Sequence, residues 1–240
     1  MLLFYIRHGD PIYHPDELTA LGEKQAEAVA KRLALYGVDQ VYASSSNRAQ
    51  QTAKPTCDLL KLKPEILPFA SEEYAWREFT FVRHDGRRRW CYAFPEYAER
   101  FNDPRIWALG RDWYRDECFK DDLNFGSGQE RVQTAVDGFM KNLGYEHDLS
   151  RNGYKAVSPN EKRVALFAHE GFGKIFMSCL LDVPYPMFCS RFEMSHTGVT
   201  VIEFKDNGSE LVYPKVLTYA SDSHLYREGL PTNYQNRIRF

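Results

Sequence analysis

The chain has 240 residues, 43% of them hydrophobic and 27% charged, with a formal net charge of -2. That length accommodates one large domain, or one domain with a substantial insertion, and can bury a sizeable core. The charge balance gives no global pull toward nucleic acid or an anionic membrane; no run approaches the roughly 18 apolar residues of a membrane helix, and no basic-then-apolar leader opens the sequence. Cys57, Cys91, Cys118, Cys179 and Cys189 are odd in number, scattered and without a Cys-x-x-Cys pair. Neither a disulfide framework nor a zinc site is expected, and a reduced cytoplasmic setting is the simplest reading.

Residues 2–6, Leu-Leu-Phe-Tyr-Ile, form a short apolar run of the kind that makes a strand buried on both faces, and it delivers Arg7, His8 and Gly9. Thr19 stands where an N-cap would, followed at helical spacing by Ala26, Val29, Ala30 and Leu33, with Gly37 as the stop. Residues 38–44 read as a second strand running into "SSNRAQQTA", a loop feeding a helix N-terminus. A third short strand is predicted over Glu65–Phe69. Ser127 and Glu130 have the spacing of a capping box before Val132, Ala135, Val136, Phe139, Met140 and Leu143, which predicts a helix. Residues 145–162 read as an exposed loop, 163–169 as a buried strand and Phe172–Leu181 as a helix. Residues 199–204 and 210–217, joined by an Asn207-Gly208 turn, read as a hairpin.

Strands alternating with helices predict an α/β fold, a three-layer α/β/α sandwich with a mainly parallel central sheet. Residues 71–125 interrupt the alternation, hold all four tryptophans and carry the basic cluster "RHDGRRRW". They are expected to form a helical and loop cap insertion within a single domain spanning 1–240. Ligands of such sheets collect at the carboxyl ends of the strands. Arg7-His8, Ser44–Arg48 and Ala168-His169 each sit just past a predicted strand, so three separate segments converge on one edge.

"RHG" at 7–9, "SSSNRAQQTA" at 44–53 and "LFAHEG" at 166–171, in this order, resemble the histidine phosphatase (phosphoglycerate mutase-like) superfamily, as do "LTALGEKQAEAVAKRL", "VTVIEF" and a late "SDSHL". The resemblance covers most of the chain. It implies a phosphomonoester hydrolase in which His8 is the nucleophile and forms a phosphohistidine, its other ring nitrogen held by a nearby carbonyl. Arg7 and Arg48 would grip the phosphate oxygens with planar forks, and His169 would donate to the same oxygens. A leaving alkoxide needs a proton, so a carboxylic acid should approach it. The candidates are Glu72, Glu73 and Glu78; "AWREFTF" resembles the superfamily's segment in which a Glu follows the second phosphate-gripping arginine by a few dozen residues, and that likeness implies Glu78. Glu170-Gly171 departs from the Gly-Gly that often follows the second histidine, which bears on the loop's shape and not on the histidine's role.

Other groups read as structural. Thr52 and Ala53 are expected to pack only, His196 to be a satisfied histidine, and His14, His84, His147 and His224 to be structural or exposed. The Arg83–Arg89 cluster reads as a solvated face of the cap, with a second anion contact as the alternative. The interval after the first motif, "DPIYHPDE", lacks the Asn and the Phe-x-Gly-Trp of phosphoglycerate mutases. That favours hydrolysis over a mutase, and both over a binding module without turnover. No metal-ligand motif is present, and no cofactor is expected. The expected partner is a small phosphomonoester, with no nucleic acid and no membrane; substrate identity and oligomeric state are not encoded legibly.

Overall fold

The computed structural model describes residues 1–82 and 85–232. In chain order its principal elements are β1 (Leu2–Arg7), α1 (Ala20–Tyr36), β2 (Gln40–Ser44), α2 (Asn47–Leu60), β3 (Glu65–Leu67), α3 (Glu72–Glu78), α4 (Leu123–Asn142), β4 (Arg163–Ala168), α5 (Glu170–Leu181), β5 (Val199–Glu203) and β6 (Lys215–Ser221). The six strands form one sheet in the order β6-β5-β1-β4-β2-β3. β1 with β4, β4 with β2 and β2 with β3 are parallel, while β5 pairs antiparallel with both β1 and β6. The fold is therefore mixed α/β with a mostly parallel central sheet flanked by helices, as the alternation predicts.

The predicted caps of α1 are in place: the Thr19 side chain accepts from Gly22 N–H, and Gly37 adopts the left-handed conformation at φ 71°. The sheet's core gathers Phe4 and Ile6 of β1, Val41 and Ala43 of β2, and Ala165 and Phe167 of β4 against Val29 and Leu33 of α1 and Ala53 and Cys57 of α2. Each large apolar side chain so buried contributes about 1.5–3 kcal/mol.

The chain divides into two compact units: 1–71 with 159–170 and 193–240, and 72–158 with 171–192. The first holds the whole sheet. The second has its own aromatic core, in which Trp113 is fully buried, with Phe125 at 5.0 Å, Phe119 at 5.2 Å and Tyr185 at 5.6 Å between ring centroids.

Three segments differ from the sequence expectation. α4 begins at Leu123, so Ser127 lies inside the helix and its hydroxyl donates to Asn124 O instead of capping. Burial of Phe125 in the aromatic core draws the extra turn into the helix despite the weak helix propensity of Gly126 and Gly128. Residues 145–156 form a hairpin, Tyr145–Asp148 against Gly153–Ala156, and not an exposed loop, because Tyr145 and Tyr154 are both buried. The last strand starts at Lys215, opposite Glu203, later than the predicted 210–217. Pro214 lacks the N–H that a ladder needs.

Candidate active site

The parallel register sets three strand ends side by side. Arg7, the last residue of β1, pairs with Ala168 of β4, and Phe167 pairs with Ala43 of β2. His8, His169 and Ser44 thus leave adjacent strands at one edge of the sheet. The His8 ring centroid lies 5.2 Å from that of His169 and 5.8 Å from that of His196.

His8 is 2% exposed, and its Nδ1 lies 2.7 Å from Gly9 O. A carbonyl oxygen only accepts, so Nδ1 carries the proton and Nε2 keeps its lone pair. Burial, then the neighbouring His169, Arg7 and Arg48, push the His8 pKa well below 6.5. The ring is therefore neutral at pH 7, the form in which an imidazole nitrogen can act as a nucleophile.

His169 is fully buried. Its Nδ1 is 3.1 Å from Arg48 Nη2 and its Nε2 is 2.8 Å from Ser44 Oγ. A guanidinium only donates, so Nδ1 accepts and Nε2–H faces Ser44. Burial, then Arg48 and Arg7, hold its pKa well below 6.5. The Tyr5 hydroxyl fixes this turn by donating to His169 O at 2.6 Å.

Arg7 is 6% exposed; its Nη1 donates to Met194 O and lies 2.7 Å from Glu170 Oε2. Arg48, 8% exposed, places Nη1 2.6 Å from Asp16 Oδ1. The Nε of both arginines is buried without a partner among the described residues. Two orphaned guanidinium donors beside a neutral histidine are what an incoming oxyanion would satisfy. His196, also buried, has Nδ1 3.5 Å from Asp10 Oδ1, and burial, then Arg7, push its pKa down to about 3.

The three candidate glutamates, all in the second unit, differ sharply. Both oxygens of Glu78 are engaged by Arg131, Oε1 at 2.7 Å from Nε and Oε2 at 2.6 Å from Nη2. Glu73 is exposed and paired with Arg77 one turn on. Glu72 Oε1 accepts the main-chain N–H of Phe172 at 2.9 Å, three residues beyond His169 in the chain.

The family model described as histidine phosphatase superfamily (branch 1) matches residues 3–216. The chain belongs to the histidine phosphatase superfamily. A stretch of 70 residues, 25% of this chain, is 36% identical to a probable phosphoglycerate mutase, GpmB, of Yersinia enterocolitica. The chain spans only 15% and 33% of the curated relatives it matches. Among solved structures it is similar to the phosphoserine phosphatase of Entamoeba histolytica, with TM-score 0.58 and 19% identity over 93% of this chain and 98% of that one. It is likewise similar to a mycobacterial glucosyl-3-phosphoglycerate phosphatase, with TM-score 0.58 and 18% identity over 92% and 98%. At such identities the likeness is one of fold.

Several residues that hold this histidine phosphatase site were not singled out as functional. Thr52, expected only to pack, accepts Gly9 N–H at 3.0 Å and donates to Arg48 O at 2.7 Å, tying the loop after His8 to the helix that carries Arg48. The signal for it was its place one helical turn after Arg48. Asp16 accepts from Arg48 and from the main-chain N–H of Asn47, but a loop carboxylate 32 residues away in sequence gives no periodic signal. Of the arginine cluster, Arg83 and the neighbouring His84 lie outside the described residues, while Arg88 donates to Thr80 Oγ1 at 2.9 Å.

Proposed function

We propose that the protein is a phosphomonoester hydrolase that works without a metal ion, through a phosphohistidine on His8, on a small phosphorylated metabolite. The observation that carries this reading is the neutral His8, its Nδ1 proton held by Gly9 O, between two buried guanidiniums with orphaned donors. His8 Nε2 would attack phosphorus while Arg7 and Arg48 stabilise the equatorial oxygens, with His169 beside them. Each guanidinium donor is typically worth about 100- to 1,000-fold in rate, whereas the one N–H of His169 faces Ser44. The bond to the leaving oxygen breaks, its electron pair stays on that oxygen, and a carboxylic acid supplies the proton.

We assign that acid to Glu72 in place of Glu78. Glu78 is neutralised by a two-pronged arginine pair, whereas Glu72 is held by an amide of the segment that follows His169. In the second half, the Glu72 carboxylate takes a proton from water, the resulting hydroxide attacks the phosphohistidine, and the P–N bond breaks to return the lone pair to Nε2. Asp16 now holds the place against Arg48 that a phosphate oxygen would take. The fold neighbours named as phosphatases support hydrolysis, and the five free cysteines support a reducing, cytoplasmic setting.

The test is phosphate release from p-nitrophenyl phosphate in EDTA, parent against His8→Ala, with mass-spectrometric detection of phosphate on His8. Turnover lost in the variant establishes the hydrolase. A labelled parent with no turnover favours a mutase, the reading to which the GpmB likeness points.

A further inference from the structure

Beside the buried core around Trp113, the second unit holds a cluster of Trp76, Trp90 and Tyr92, all three only half-buried. Trp76 and Trp90 meet edge to face with centroids 5.2 Å apart. Trp90 and Tyr92 lie in nearly parallel planes, 7° apart, with centroids separated by 5.9 Å. The buried ammonium of Lys174, on α5, stands 4.0 Å from the centroid of the Tyr92 ring and fixes it by a cation–π contact.

Gly171 locates this group. A Cβ at that position would stand 2.2 Å from two ring carbons of Trp90 and 2.4 Å from Glu72 Oε1. The indole and the Glu72 carboxylate therefore crowd the same bare glycine, two residues beyond His169.

We propose that Trp90 and Tyr92 form a subsite for a planar aromatic leaving group, so that the preferred substrates are phosphomonoesters with an aromatic or heteroaromatic ring close to the ester oxygen. The proposal rests on the reading of Glu72 as the proton donor. An acid that protonates the leaving oxygen must come within hydrogen-bonding distance of it. Whatever is bonded to that oxygen then lies beside Glu72, and the surface beside Glu72 is the Trp90 indole. Any apolar group gains from burial there, but an aromatic ring also gains the quadrupole attraction of stacked or edge-on rings, about 3- to 10-fold in affinity. Trp90 and Tyr92 are only half-buried, which leaves ring surface for such a group.

Calorimetric binding of benzylphosphonate and cyclohexylmethylphosphonate tests this directly, since the two ligands match in charge and nearly in size. Benzylphosphonate is expected to bind 3- to 10-fold tighter, and the difference to vanish in Trp90→Leu and in Tyr92→Leu. Equal affinities, or no binding of either ligand, overturn the subsite. A preference that survives in both variants, each checked for a native circular-dichroism spectrum, overturns its assignment to these rings; if one variant does not fold, the other decides. Binding needs no turnover, so an aromatic preference in a protein that releases no phosphate from benzyl phosphate would refute the hydrolase reading and leave the subsite standing.

Discussion

Thr52→Val offers the sharpest separation of packing from positioning. Valine has nearly the shape of threonine but neither accepts nor donates. The substitution removes the side-chain acceptor of the buried Gly9 N–H, now 3.0 Å from Thr52 Oγ1, together with the bond to Arg48 O. Leaving a buried donor unsatisfied costs about 1–3 kcal/mol. For a chain of this length each kcal/mol moves Tm by about 2–4 °C, so a fall of about 2–12 °C is expected in a thermal melt. The catalytic consequence is larger, because Gly9 O also holds His8 Nδ1. A displacement of about 1 Å at the nucleophile can cost on the order of 100-fold. We therefore expect kcat for p-nitrophenyl phosphate to fall about 10- to 100-fold, with KM changed less. Thr52→Ser, which keeps the hydroxyl, should recover most of both losses. A valine variant with wild-type Tm and kcat, or a serine variant as impaired as the valine one, would refute the argument.

Further outcomes follow from the site. Arg48→Ala should lower kcat/KM for p-nitrophenyl phosphate about 100- to 1,000-fold, since it removes a guanidinium aimed at the transferring group; a loss under 10-fold would exclude it from phosphate binding. Chelation with EDTA should leave turnover unchanged, and restoration of lost activity by added magnesium would refute the metal-free reading. Because the proposed attack needs a neutral His8, whose pKa lies well below 6.5, kcat/KM should show no protonation limb near pH 6.5, the limb appearing only at lower pH. Stability has two opposite histidine contributions. His8, His169, His196 (about 3) and His224 (about 4) have depressed pKa values, so the unfolded state binds more protons below pH 6.5. Stability should fall with pH there by up to about 1.4 kcal/mol per pH unit per histidine. Burial works against protonation of His147, but hydrogen bonds to Asp137 and Asp182 outweigh it and raise its pKa to about 9. Its contribution is complete below pH 6.5 and is lost as pH rises toward 9, so urea midpoints should decline on both sides of neutrality.

The sheet and the position of the edge were legible because apolar runs ending in Arg7-His8, Ser44 and Ala168-His169 obey simple strand periodicity, and parallel strands expose their carboxyl ends together. The choice among Glu72, Glu73 and Glu78 carried little sequence signal because the three acids fall within seven residues on one helix, and only tertiary contacts with Arg131 and Phe172 distinguish their surroundings. Phe125 shows the same limit for secondary structure: Gly126 and Gly128, just after it, lower the local helix preference, and burial among aromatics distant in sequence overrides it. Tyr145 and Tyr154 sat in a stretch of polar and turn-forming residues, so the hairpin that buries them carried little periodic signal.

Glu170 has a consequence beyond the geometry of Arg7. Its carboxylate on Arg7 and that of Asp16 on Arg48 leave the resting site with each guanidinium already balanced, beside histidines that are uncharged. Such a site projects little field into solvent, so an approaching phosphomonoester is not drawn in from a distance. Capture should then depend on chance encounter, and kcat/KM at limiting substrate should vary little with ionic strength, where an open cluster of arginines would lose its pull as the screening length shortens.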